Sequence, residues 1–119
     1  MKRDMNLVRK ILLEVEANTD GSTPLMTVSV ENYSQDQIQY HLAILIDAGL
    51  IEAIDTSSAS GIGYYPTRLT WEGHEFLDAA RSETIWKKAM SSLSKVSESI
   101  ALPILKELLL SEMRSQLGI

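Results

Sequence analysis

The residues able to do chemistry are few and thinly spread. His74 and Asp78 stand four apart with Glu75 beside them, which would put two metal ligands on one helical face, but no His-Glu-x-x-His pattern and no third ligand follows. Glu72, Glu75 and Asp78 imitate paired catalytic carboxylates, although a solvated acidic face accounts for them more simply. Gly61-Ile62-Gly63 has glycines like those of a phosphate loop without its helix or lysine, and reads as turn glycine. His41 lies next to an apolar stripe, where a core-edge imidazole hydrogen-bonded to a carbonyl is the expected state. Cysteine is absent, which removes disulfides, thiolate metal sites and cysteine nucleophiles together. With no nucleophile–base constellation, the sequence argues against an enzyme and calls for no cofactor or metal.

Recognition is the remaining chemistry, and its charges are uneven. The chain has 119 residues and a formal net charge of −5, which does not favour non-specific nucleic-acid binding. From Thr19 to Ala80 the acids are Asp20, Glu31, Asp36, Asp47, Glu52, Asp55, Glu72, Glu75 and Asp78, against the single base Arg68. Lys2, Arg3, Arg9 and Lys10 precede that window, and the remaining bases follow it. Phosphate contacts would have to come from Lys2, Arg3, Arg9, Lys10 and Arg68, with Gln35, Gln39 and Tyr40 approaching the bases.

These residues need elements to position them. Met5, Val8, Leu12 and Val15, widened by Leu7 and Ile11, predict a helix from Asp4 to about Asn18 with Asp4 as its cap. Pro24 to Val30 alternates with β-branched residues and predicts a short strand. Ser34 and Gln37 have capping-box spacing ahead of a helix whose apolar face is Ile38, Leu42, Leu45 and Ile46, closed by Gly49. Strands Leu50–Asp55 and Tyr64–Leu69 flank a Ser/Gly-rich tip, a hairpin. Thr70 caps a helix from Trp71 to about Ala80, with Trp71, Leu77 and Ala80 as apolar positions. Arg81-Ser82-Glu83 is a joint, and a further helix runs from Glu83 to roughly Val96, burying Ile85 or Trp86, Ala89, Met90 and Leu93. A last helix spans about Ala101 to Leu117, with Pro103 in its first turn.

The run Ile38 to Ile54, a helix closing on Ala48-Gly49-Leu50-Ile51 and then the hairpin, resembles the third helix and wing of winged helix-turn-helix domains. The preceding helix of that motif has no room between Val28 and Ser34 beyond a single turn at Val30-Glu31-Asn32. Met1 to Leu12, Tyr40-His41-Leu42, Ala48-Gly49-Leu50-Ile51, Arg68 to Arg81 and Ile85-Trp86 together resemble an uncharacterised domain-of-unknown-function family of small bacterial and phage or prophage proteins. That resemblance covers roughly Met1 to Lys88 and implies a regulatory or host-interaction role, by analogy only.

The expected fold is therefore α+β: a winged-helix-like domain over 1–81 with a small antiparallel sheet, and a C-terminal helical extension over 82–119. Ile104, Leu105, Leu108, Leu109 and Met113 belong to an apolar band wide enough for a homodimer interface, or for packing back on the domain. No stretch has signal-peptide or spanning character, so a cytoplasmic protein with no membrane partner is expected. Two functions stay open. One is a non-catalytic winged-helix-like regulator or adaptor with weak or specialised DNA binding. The other is a protein-interaction module acting through its acidic face.

Overall fold

The computed structural model describes residues 1–93 and 105–110. Helix α1 (Met5–Asn18) and helix α2 (Gln35–Asp47) precede strands β1 (Ile51–Asp55) and β2 (Tyr64–Leu69), which are followed by α3 (Trp71–Ala80) and α4 (Glu83–Leu93). Residues 105–110 are helical as well. The protein is thus α+β, with one two-stranded antiparallel sheet among the described residues. Two compact units divide it, Met1–His74 and Glu75–Ile119.

In the first unit, the expected face of α1 is the buried one: Met5, Leu7, Val8, Ile11, Leu12 and Val15. It meets α2 through Ile38, Leu42 and Leu45, also buried, and α2 in turn packs on the hairpin through which Ile51 and Leu69 enter the core. The caps are those the spacing predicted. Asp4 accepts from the Asn6 and Leu7 N–H groups, at 2.9 and 3.2 Å. Ser34 and Gln37 form a reciprocal capping box. Ile51 pairs with Leu69 and Asp55 with Tyr64, with a register shift between Glu52 and Ala53.

Where α2 ends, Gly49 takes φ 73°, donates to the Ile46 carbonyl, and lets Leu50 N–H reach back to the Leu45 carbonyl. That pair of bonds is a Schellman closure, and it commits the Leu50 N–H to the helix cap, so β1 begins one residue later than predicted. The Leu50 carbonyl then accepts from Thr70 N–H at 3.0 Å, while Thr70 Oγ1 donates to the Gly49 carbonyl and accepts from Gly73 N–H at 3.0 Å. The first turn of α3 is thereby fastened main chain to main chain against the α2–β1 junction. Gly73 lies so close to the Leu50 carbonyl oxygen that any Cβ there would overlap it.

Two expectations are corrected. No strand forms over Pro24–Val30. Gly21 N–H reaches the Thr67 carbonyl at 3.1 Å and Leu25 N–H the Pro66 carbonyl at 2.8 Å, but both bonds run into β2, and Pro66 has no N–H with which to answer. A ladder cannot propagate from one-way bonds, so the segment is held instead by the buried Val28. Trp71, counted with the apolar positions of α3, is 75% exposed. The buried residues of that helix are Gly73, Phe76, Leu77, Ala79 and Ala80, and Trp71 falls on the opposite side, in phase with the exposed Glu75 and Asp78.

In the second unit, Phe76 and Trp86 meet edge to face at 6.3 Å, and Ile85, Ala89, Leu105 and Leu109 are buried. Both Ile85 and Trp86 are interior, where one of the two was expected. Ser82 caps α4, its hydroxyl accepting from Ile85 N–H at 3.3 Å. The helix expected to continue to Val96, the break at Ser97–Ser99, the start near Ala101, and Ile104, Met113 and Leu117 lie outside the described residues, as does the Leu93 side chain. Among the described residues no helix is long and apolar enough to cross a membrane.

Gly73→Ala is the test of the α3 junction. In an ordinary helix this change is favourable by about 1 kcal/mol; here the overlap with the Leu50 carbonyl reverses the sign and costs about 1–3 kcal/mol. Thermal melting should show Tm lowered by several degrees, and an unchanged or raised Tm would contradict the close approach.

Candidate functional site

The residues expected to meet DNA are spread over the first unit, and several already carry structural bonds. Gln35 Nε2 donates to the Val28 carbonyl at 3.0 Å, and so holds the segment that failed to become a strand. Gln39 Oε1 accepts from Tyr64 N–H at 2.9 Å, tying α2 to the start of β2. Arg68 forms a two-pronged pair with Glu52, Nε to Oε2 at 3.1 Å and Nη2 to Oε1 at 2.8 Å, across a register pair of the hairpin. Its Nη1 donates to the Leu69 carbonyl at 3.2 Å. Lys2, Arg3 and Lys10 are exposed and Arg9 half-buried, at and near the N-terminal end of α1; Lys10 Nζ lies 5.8 Å from the Tyr33 ring centroid. Tyr40 is half-buried and meets His41 edge to face. In the band expected to dimerise, Leu105 and Leu109 are covered within a single chain and Leu108 is half-exposed.

His41 turns out to be a buried joint. Its Nε2 accepts from Asp4 N–H at 2.8 Å, so the neutral ring carries its proton on Nδ1, facing the Gln37 carbonyl at 2.7 Å. Asp4 completes the joint: its Oδ2 accepts the Tyr33 hydroxyl at 2.8 Å. Burial, and then the bond and charge of Asp4, push the Tyr33 phenol above its ordinary value. Both ring nitrogens of His41 are therefore spent on main chain, and the carbonyl partner expected from the sequence is present.

A concavity lies elsewhere in the first unit. A cleft of about 430 Å³ opens between the end of α1, the turn after it, the end of β2 and the start of α3, lined by Thr19, Asp20, Gly21, Arg68, Trp71 and His74 together with Glu16 and Leu69. Asp20 is tied into its own turn, Oδ1 accepting from Ser22 N–H, the Ser22 hydroxyl and Thr23 N–H at 2.9–3.0 Å. The bond from Thr23 N–H, followed by those from Ser22, pulls the Asp20 carboxyl down to about 2. Asp55 at the hairpin end is likewise lowered, by Ser57. His74 reaches the cleft, but Asp78 and Glu75 do not join it in a metal cluster; no group of three or more potential ligands occurs among the described residues. In the sequence Asp20 is one of nine acids between Thr19 and Ala80 and Trp71 an apolar position of its helix, and neither announces a cleft. The signal for Trp71 was its helical phase, which places it with acids rather than with Phe76 and Leu77.

The fold and its surface define a small α+β protein, with helices before and after one hairpin in chain order among the described residues and a cleft lined by Trp71, Asp20, Arg68 and His74. The chain belongs to the family described as "Hypothetical protein (DUF2513)", whose pattern matches residues 2–99. A protein of Haemophilus influenzae, described as "Uncharacterized protein", is 35% identical over 107 residues, spanning 90% of this chain and 91% of its own length. The uncharacterised family anticipated from Met1 to Lys88 is thus found, over a longer span. No solved structure matches the chain.

The Asp20 turn yields a pH prediction. A carboxyl whose folded pKa lies below its unfolded value of about 3.9 contributes stability above that value, and loses it as pH falls through the folded pKa. The Asp20 carboxyl carbon should titrate near 2 by NMR. Asp20→Ala should lower Tm at neutral pH, with the difference from the parent chain shrinking as pH drops below about 4. A midpoint near the ordinary value would mean the turn does not hold.

Proposed function

We propose that this protein is a non-catalytic regulator or adaptor of the cytoplasm, built on a winged-helix-like scaffold and acting by contact with another protein. The observation that carries the reading is the state of Arg68. The only base between Thr19 and Ala80 is neutralised by Glu52, and Gln35 and Gln39, the side chains best suited to base edges, are bonded to main chain. A surface that reads DNA draws most of its affinity from several Lys/Arg–phosphate contacts, and here the middle of the chain offers none. The helix–glycine–hairpin order supports the winged-helix-like part, and the resemblance to phage and prophage proteins supports a regulatory or host-directed setting.

A second reading, weak DNA contact, is favoured by one observation: Lys2, Arg3, Arg9 and Lys10 all fall before or within the first half of α1. Four cations limit the salt dependence to a log–log slope of roughly −4, at about −0.9 per phosphate neutralised. Fluorescence anisotropy with a random duplex at low salt should show weak binding at most, lost when all four are replaced by alanine. Tight, steeply salt-dependent binding that survives the replacement would displace the protein-contact reading.

Self-association through the C-terminal helix belongs to the same proposal on narrower ground, since Leu105 and Leu109 are covered within one chain and Leu108 is the half-exposed member of the expected set among the described residues. Light scattering of the full chain should give a dimer mass; a monomer at high concentration removes this part and leaves the adaptor reading in place.

A further inference from the structure

The cleft beside α3 holds a contradiction that packing does not resolve. Trp71 is the most exposed large apolar residue of the described chain, 75% open to solvent, on the lip of a concavity. An indole left in water forgoes the burial that makes tryptophan valuable, and tryptophan is among the residues that most often anchor protein interfaces. Two carboxylates, Glu16 and Asp20, line the cleft with Trp71, against one guanidinium, that of Arg68. Asp20 stays ionised far below neutral pH because its own turn holds the carboxylate, and the Arg68 guanidinium is already engaged by both oxygens of Glu52. His74 adds an imidazole at the rim.

We propose that this cleft receives an arginine side chain of a protein partner, its guanidinium plane resting on the Trp71 indole and its N–H groups directed to Asp20. The inference rests on the protein-contact reading above and names the chemistry of that contact. A planar cation suits both features at once, since it stacks on the indole face and donates in the plane of a carboxylate. Other occupants fit one feature and fail the other. A nucleobase would stack on Trp71 while its phosphates met Asp20 and a neutralised Arg68. An apolar side chain would cover the indole and strip water from an ionised carboxylate without replacing its hydrogen bonds. A partner carboxylate would meet Asp20 directly.

The test uses the full chain, labelled with ¹⁵N and titrated with a hexa-arginine peptide. Shifts of the Trp71 indole N–H and the Gly21 amide should saturate together, while the indole of Trp86, 3% exposed, stays still. Trp71→Ala and Asp20→Asn should each weaken binding by about tenfold, the scale of a desolvated cation–π or charge-assisted contact. Circular dichroism should be unchanged in both, since Trp71 and Asp20 are exposed and Asn keeps the acceptor oxygen. Neutralising Asp36 and Asp47 together, exposed acids that do not line the cleft, should change the affinity far less.

Binding that ignores Trp71→Ala and Asp20→Asn, or that falls as much with Asp36 and Asp47, overturns the site. Equal affinity for hexa-lysine overturns the arginine assignment, and equal affinity for hexa-glutamate overturns the charge argument. Cross-linking in the native host separates this inference from the function it rests on. A partner captured equally by the parent chain and Trp71→Ala leaves the adaptor reading and removes the cleft. No partner at all, with a positive peptide titration, keeps the cleft and removes the adaptor reading.

Discussion

The first unit depends on two stretches of main chain meeting with no side chain between them. Gly73 sits against the Leu50 carbonyl, and three segments converge there: the end of α2, the start of β1 and the first turn of α3. Only a glycine in the third position of α3 allows the approach, and only a left-handed residue at position 49 turns the chain sharply enough to deliver Leu50 to it. The two glycines do different work. At Gly49 a Cβ would meet nothing within 4 Å, so its constraint is the φ of 73° alone. At Gly73 the constraint is space. Thr70 closes the junction by bonding to both sides, to the Gly49 carbonyl and from the Gly73 N–H. That fastening fixes where β2 ends and where α3 starts, and so places Trp71 at the lip of the cleft.

A second tie fixes α1. His41 projects from α2 and accepts the Asp4 N–H, while the Asp4 carboxylate caps α1 and accepts the Tyr33 hydroxyl. A helix N-terminus leaves its first donors without intrahelical partners, and a buried imidazole needs a partner for each nitrogen. One short network meets both needs. A buried histidine in this arrangement is a structural part.

Much of this was legible in residue order. The Asp4 cap, the Ser34–Gln37 box, the Gly49 stop and the Thr70 cap are local signals, set by hydrogen bonds within five residues, and the hairpin pairs segments fewer than twenty residues apart. What was not legible depends on distant partners. Pro24–Val30 has the alternation of a strand, but whether it pairs is decided by Pro66, forty residues away, which has no N–H to give. Gln35 and Gln39 look like base readers on an isolated helix, and nothing nearby in sequence announces that Val28 and Tyr64 engage them. Trp71 is a different case: its phase along α3 was available, and its hydrophobicity overrode the phase.

The Glu52–Arg68 pair shows why a contact of little energetic weight can still decide what a surface does. Its partners are 47% and 56% exposed, and ion pairs so open to solvent contribute about 0–1 kcal/mol to stability. Its effect is on sign. An unpaired Arg68 would make the hairpin face amphoteric and give phosphate one foothold among nine acids. Paired in a fork that uses both oxygens of Glu52, the guanidinium is already engaged, and the Arg68 stem is held beside Gly21, where an added Cβ would lie 3.9 Å from Cδ. The turn that carries Asp20 rests there. One exposed ion pair thus engages the guanidinium that phosphate would need and shapes the wall of the cleft beside Asp20.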